Sequence, residues 1–199
     1  MYIYIHICCL NNYVEVVNHL LTWIKQSGLY DEIKEIRCGI LGEYKGEFED
    51  PKIKIRGVSC NMRLYEAFTL NMLREDAQRE DFNALYLHSK GVTKCGNVYV
   101  QDWVNYMCYF NIGQYGKCIS ELVNNDTVGC NLHKGPVHYS GNFWWSKASY
   151  LRTLPLCTTN TYNSPEFWLT ELGGKYSNLW ESGVNHYKQR YLESAYVLN

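Results

Sequence analysis

Short apolar runs rich in β-branched and aromatic residues alternate along this chain with stretches whose apolar residues recur every three or four positions. No other feature constrains the fold as strongly. Strands that alternate with helices build an α/β sheet whose faces the helices cover. "YIYIHICCL" (2–10) is the first strand-like run, and "NNYVEVVNHLLTWIKQSG" (11–28) follows with Val14, Val17, Leu21 and Ile24 on one helical stripe. "IKEIRCGIL" (33–41) and "KIKIRG" (52–57) read as strands, 62–79 as a helix through Leu64, Phe68 and Met72, and "ALYLH" (84–88) as a strand. The span 99–123 is expected as one helix through Trp103, Met107 and Phe110. "DTVGCNL" (126–132) and "VHYSGNFWW" (137–145) then read as strands, and "SKASYLRTL" (146–154) and "EFWLTELGG" (166–174) as short helices. No repeat, linker or low-complexity segment interrupts this order, so residues 1–199 form one domain.

The fourth strand ends abruptly at His88-Ser89-Lys90-Gly91. In open α/β sheets, ligands sit outside the carboxyl ends of the strands. A histidine and a lysine two residues apart repel each other when both are charged, so an anionic ligand makes sense of the pair; a solvated strand end is the plainer alternative. Such an anion site must be local. Nineteen Lys and Arg against 20 Asp and Glu leave a net charge of −1, which argues against a nucleic-acid coat. The nine cysteines are odd in number and show no C-x-x-C spacing, which suits reduced buried thiols in the cytoplasm. His133 and His138 are a poor substitute for a zinc ligand set. "MYIYIHICCL" lacks a basic leader and is too short to span a bilayer, so no membrane span is expected.

"HYSGNFWW" (138–145) is the second unusual stretch. Its Gly141-Asn142 pair lets the backbone turn and presents an amide beside two large flat side chains. Such faces suit the C–H side of a pyranose, and an amide serves its hydroxyls. Adjacent strand residues point oppositely, so one of Trp144 and Trp145 at least is expected in the core.

"YLHSKGV", the helix bearing Trp103, Met107 and Phe110, "HYSGNFWW" and "YLRTLP" together resemble a family of bacterial and large-DNA-virus glycosyltransferases with a GT-A-like fold. The motifs cover roughly residues 84–155. The resemblance implies a single-domain, Rossmann-like α/β fold with a central mixed sheet flanked by helices. It implies a hexosyl- or deoxyhexosyltransferase that uses a nucleotide-diphosphate sugar, with UDP as carrier, and a glycan or glycoprotein acceptor. A cytoplasmic location follows, in the host if the chain is viral. Residues 1–92 are then mainly the nucleotide-binding part and 93–199 mainly the sugar and acceptor part. His6, Cys8, Asn11, Arg63, His88, Ser89, Lys90 and Gly91 are expected on the nucleotide and diphosphate, and His138, Ser140, Gly141, Asn142, Trp144 and Trp145 on the sugar.

One departure from the family matters. Many such enzymes end this strand in Asp-x-Asp, which holds a divalent metal such as manganese or magnesium; here His88 and Lys90 stand there. Lysine neutralises phosphate directly, and neutral histidine is the one metal ligand of the pair. Lys90 is therefore expected to stabilise the leaving diphosphate. Glu166, which opens a short helix after the sugar cluster, is the candidate base for an inverting reaction; compensating the helix terminus is its other reading. Asp102 is a weaker base candidate, Glu66 reads as a buried structural carboxylate, and His186 as a surface histidine. Two rivals stand beside the transferase: a non-catalytic nucleotide-sugar or carbohydrate-binding module of the same fold, and a cysteine hydrolase, for which no nucleophile signature exists.

Overall fold

A computed structural model describes residues 1–197. The chain runs β1 (Tyr2–Cys8), α1 (Tyr13–Gln26), α2 (Leu29–Glu32), β2 (Glu35–Leu41), β3 (Ile53–Ser59), α3 (Ala67–Arg79) and β4 (Asn83–His88). It continues with α4 (Val98–Cys108), α5 (Tyr115–Leu122), β5 (Thr127–Gly129), β6 (Leu132–Lys134), β7 (Val137–Tyr139), β8 (Trp144–Lys147), α6 (Ala148–Leu151), α7 (Ser164–Trp168) and β9 (Tyr176–Asn178). Seven strands form a mixed sheet in the order β3-β2-β1-β4-β8-β5-β9, and β6 pairs with β7 in a separate hairpin. The α/β reading with a central mixed sheet flanked by helices therefore holds.

Strand β1 shows why the sheet is covered on both sides. Ile3, Ile5 and Ile7 enter a core shared with α1 and α4, whereas Tyr2 and Tyr4 enter a second core with α3 and α6. His6 falls on the tyrosine side and meets Thr69 of α3. Strands β3, β2, β1 and β4 are parallel, and β8 reverses direction against β4, with Tyr86 opposite Trp144 and Leu85 opposite Trp145.

Three sequence expectations change in detail. "VHYSGNFWW" is not one strand: β7 belongs to the hairpin and β8 to the main sheet, with a turn between them where Gly141 has φ 93° and Asn142 φ 58°. "DTVGCNL" likewise divides into β5 and β6. The helix over 99–123 is broken by a π-helical turn, Tyr109–Gly113. Its Asn111 is fully buried, donates to the Met107 carbonyl and offers its own carbonyl to Trp145 Nε1 at 2.7 Å, so a tertiary bond occupies a backbone acceptor there. All nine cysteines are unpaired. Among the described residues, no helix is long and apolar enough to cross a membrane.

Candidate functional site

Strands β1 and β4 are parallel neighbours with His6 opposite His88, so their carboxyl ends open at the same level. A cavity of about 380 Å³ lies there, walled by those strand ends, by the segment before α3, by Trp103 of α4, and by two loops that carry Tyr162 and Tyr187. The strand ends are stitched together: Ser89 N donates to the His6 carbonyl at 2.9 Å, and Ser89 Oγ accepts from Cys8 N at 2.8 Å. Gly91 adopts φ 97°, and a β-carbon there would sit 3.0 Å from Val100 Cγ1, so the turn suits glycine both in conformation and in space.

Lys90 is half-buried in this cavity, its Nζ 3.9 Å from the centre of the Trp103 ring. Burial lowers its pKa, opposed by the fields of Glu166 and then Glu66. His88 Nε2 donates to the Gly141 carbonyl at 3.0 Å. Burial, reinforced by the Lys90 charge, pushes His88 down to about 3, so the ring is neutral and Nδ1 carries a lone pair. That Nδ1 faces Glu66 Oε1 at 3.7 Å. The other oxygen of Glu66 accepts from Tyr86 Oη at 2.8 Å and from Asn142 Nδ2 at 2.7 Å. Asn142 is itself oriented by Trp144, whose Nε1 donates to Asn142 Oδ1 at 2.7 Å.

Gly141 joins these parts. Its carbonyl holds His88, its N–H donates to Glu166 Oε1 at 3.0 Å, and a β-carbon would collide with Met107 Sδ and press on Trp103. Glu166 thus occupies the first turn of α7 with one oxygen engaged on a backbone amide.

The structure brings together His6, Cys8, His88, Ser89, Lys90 and Gly91 as walls of one cavity. His6 is buried, bonded to Thr69 Oγ1 at 2.9 Å, and pushed down to about 4 by burial. Asn11 stands behind the wall, donating to the Val92 carbonyl and tying the first loop to the Gly91 turn. Arg63 is exposed on a 3₁₀ turn and is not among the residues that line the cavity.

The sugar-side expectations need correction. Trp144 is 1% and Trp145 0% exposed; Trp144 stacks on Tyr86 at 4.9 Å and Trp145 packs in the opposite core, so neither offers a face to a ligand. Asn142 is buried, with both ends of its amide engaged by protein groups. His138 sits on the hairpin against His133 and Phe167, and Ser140 is tied to the Asn131 carbonyl; neither lines the cavity. His186 is buried rather than on the surface: its ring lies parallel to Trp103 at 5.1 Å. Asp102 is ion-paired with Arg190 and accepts from Tyr191 N, which removes it as a base.

Sequence reasoning did not place three residues in the site, although it named Glu66 as a structural carboxylate. Glu66 lines the cavity, and Tyr162 and Tyr187, 71% and 61% exposed, stand at its mouth. Tyr162 touches Tyr65 edge-on at 5.5 Å and Tyr187 touches Trp103 edge-on at 5.1 Å. The available signal was an aromatic residue isolated in a polar loop, as in "TTNTYNSPE".

The donor set at the strand end does not fit a divalent cation. It comprises one imidazole nitrogen and one carboxylate oxygen beside an ammonium group. Among the described residues, no three His, Cys, Asp or Glu side chains converge to hold a metal ion.

No family model matches the chain, and no curated protein matches it. The crystal structure of HddC from Yersinia pseudotuberculosis is similar in fold, with a TM-score of 0.52 over 90% of each chain at 9% identity. At that identity the likeness concerns the fold alone.

Proposed function

We propose that this protein is a GT-A-type glycosyltransferase that moves a sugar from a nucleotide-diphosphate donor, UDP-linked, to a hydroxyl of a glycan or glycoprotein. The observation that carries the reading is Lys90: a half-buried cation inside a cavity at the carboxyl ends of two adjacent parallel strands, with a Trp103 face rather than a carboxylate at its ammonium. An ammonium so placed is preorganised for the charge that accumulates on a departing diphosphate. His88, Ser89 and Gly91 form the wall beside it, and the rings of Tyr162 and Tyr187 supply the flat faces that a base or sugar ring requires. Lys90 neutralises phosphate in place of a metal, and the family's Asp-x-Asp is absent from this strand end. Cytoplasmic action on a soluble donor goes with this reading.

The rival is a binding module of the same fold. The engagement of Glu166 by the Gly141 amide favours it, because that carboxylate is then committed to holding the turn. Calorimetry with UDP, followed by release of UDP from a panel of UDP-hexoses, separates the two. Binding with turnover supports the transferase, binding without turnover supports the module, and no binding of any nucleoside diphosphate overturns both.

A further inference from the structure

Glu66 Oε1 and His88 Nδ1 face each other at 3.7 Å inside the cavity, and both are hydrogen-bond acceptors. The tautomer follows from geometry. A carbonyl only accepts, so the 3.0 Å contact to Gly141 O places the ring proton on Nε2 and leaves Nδ1 bare. The carboxylate cannot turn away. Its Oε2 is pinned by Tyr86 and Asn142, and Asn142 is locked by the buried Trp144 indole. Two fixed lone-pair groups that face each other inside the cavity are suited to a hydrogen-bond donor.

We infer that Glu66 Oε1, beside His88 Nδ1, accepts the hydrogen bond of a ligand hydroxyl, the hydroxyl that accepts the sugar; this rests on the transferase reading. In the step, the acceptor oxygen forms a bond to the anomeric carbon while the bond from that carbon to the diphosphate oxygen breaks. The leaving diphosphate takes the bonding pair and its charge meets Lys90. The hydroxyl proton passes to Glu66 Oε1. Glu66 is the catalytic base, and Tyr86 and Asn142 are positioning residues that aim it.

Glu66→Gln tests this without risk to the fold. The oxygen of the new amide must occupy the place of Oε2, because Tyr86 and Asn142 both donate there. Its NH₂ therefore replaces Oε1 and, once the 3.7 Å separation closes by about 0.5 Å to ordinary hydrogen-bond range, donates to His88 Nδ1. The expected result is a thermal midpoint raised by about 2–4 °C, as one added hydrogen bond gives in a domain of this size. The His88 Nδ1 nitrogen-15 resonance shifts as it gains a donor, UDP binding is retained, and UDP release from UDP-hexoses falls by at least about a hundredfold. An unshifted midpoint and resonance, or turnover within threefold of wild type, overturns the assignment while leaving the transferase reading intact. Manganese that raises the midpoint of the wild type but not of Glu66→Gln also overturns it, since the occupant is then a cation. Failure of the wild type to bind UDP overturns the transferase reading itself, independently of the midpoint.

Discussion

Lys90 Nζ lies 3.9 Å from the centre of the Trp103 indole, and the far side of the site is fixed by the contact of His88 with Gly141. A cation against an aromatic face keeps part of its charge available, whereas an ion pair with Glu66 or Glu166 would cancel it. That arrangement sets the first prediction. Lys90→Ala and Lys90→Met should each cut turnover by about a hundredfold or more, because one preorganised donor at a shielded site is worth roughly 3–4 kcal/mol. Steady-state release of UDP measures it. Full activity in both variants would mean that the ammonium plays no part in the reaction.

Gly141→Ala should destabilise the fold by roughly 2–4 kcal/mol, combining a left-handed φ with overpacking against Met107. Chemical denaturation gives the value. A variant as stable as wild type would show that the turn relaxes without cost, and the link from His88 to Glu166 would lose its structural basis.

Tyr162→Ala and Tyr187→Ala should each weaken UDP binding by about tenfold, the scale of one stacked ring. Both side chains are largely exposed, so stability should barely change. Pyrophosphate has no ring, so its affinity should be the same in both variants and wild type. Calorimetry with the two ligands decides; equal losses for UDP and pyrophosphate would move these tyrosines off the ring-binding face.

Stability should fall as pH drops. His6 and His186 are held down to about 4 and His88 to about 3, chiefly by burial, so the unfolded chain, titrating near 6.5, binds protons that the folded chain refuses. The stabilisation is complete above about pH 6.5 and declines from there towards pH 4, with a slope of up to about 1.4 kcal/mol per pH unit for each histidine. Urea midpoints measured between pH 7.5 and 5 follow this; a flat profile across that window would contradict the neutral rings.

The sheet was legible because its signal is local. Ile3, Ile5 and Ile7 alternate with Tyr2 and Tyr4, and Leu21 and Ile24 repeat at helical spacing, so periodicity alone names the elements. The cationic strand end was legible for the same reason, as an apolar run that stops on His88 and Lys90. The role of the tryptophans was not. Whether Trp144 faces solvent or Tyr86 depends on β8 pairing between β4 and β5, and the β4 contact crosses more than fifty residues, which no local pattern reports. The place of Glu66 in the cavity was hidden for a related reason: its helix starts only at Ala67, after Tyr65 with its positive φ, so the carboxylate projects from the helix entrance towards the strand ends. The break at Tyr109–Gly113 likewise involves a distant residue, since Trp145 reaches back to the Asn111 carbonyl inside it.

Because β8 runs against β4, with Trp144 opposite Tyr86, the Gly141-Asn142 turn that precedes β8 meets the end of β4, where it contacts His88 and Glu66. The proposed base Glu66 and one of its two aiming residues, Asn142, are thus delivered by opposite portions of the chain and meet only when β4 and β8 pair. Neither 1–92 nor 93–199 carries a working site by itself. Two fragments divided in the Thr93–Asn97 loop would regain one only by rebuilding that antiparallel seam, and recovery of activity would count seams formed rather than fragments folded.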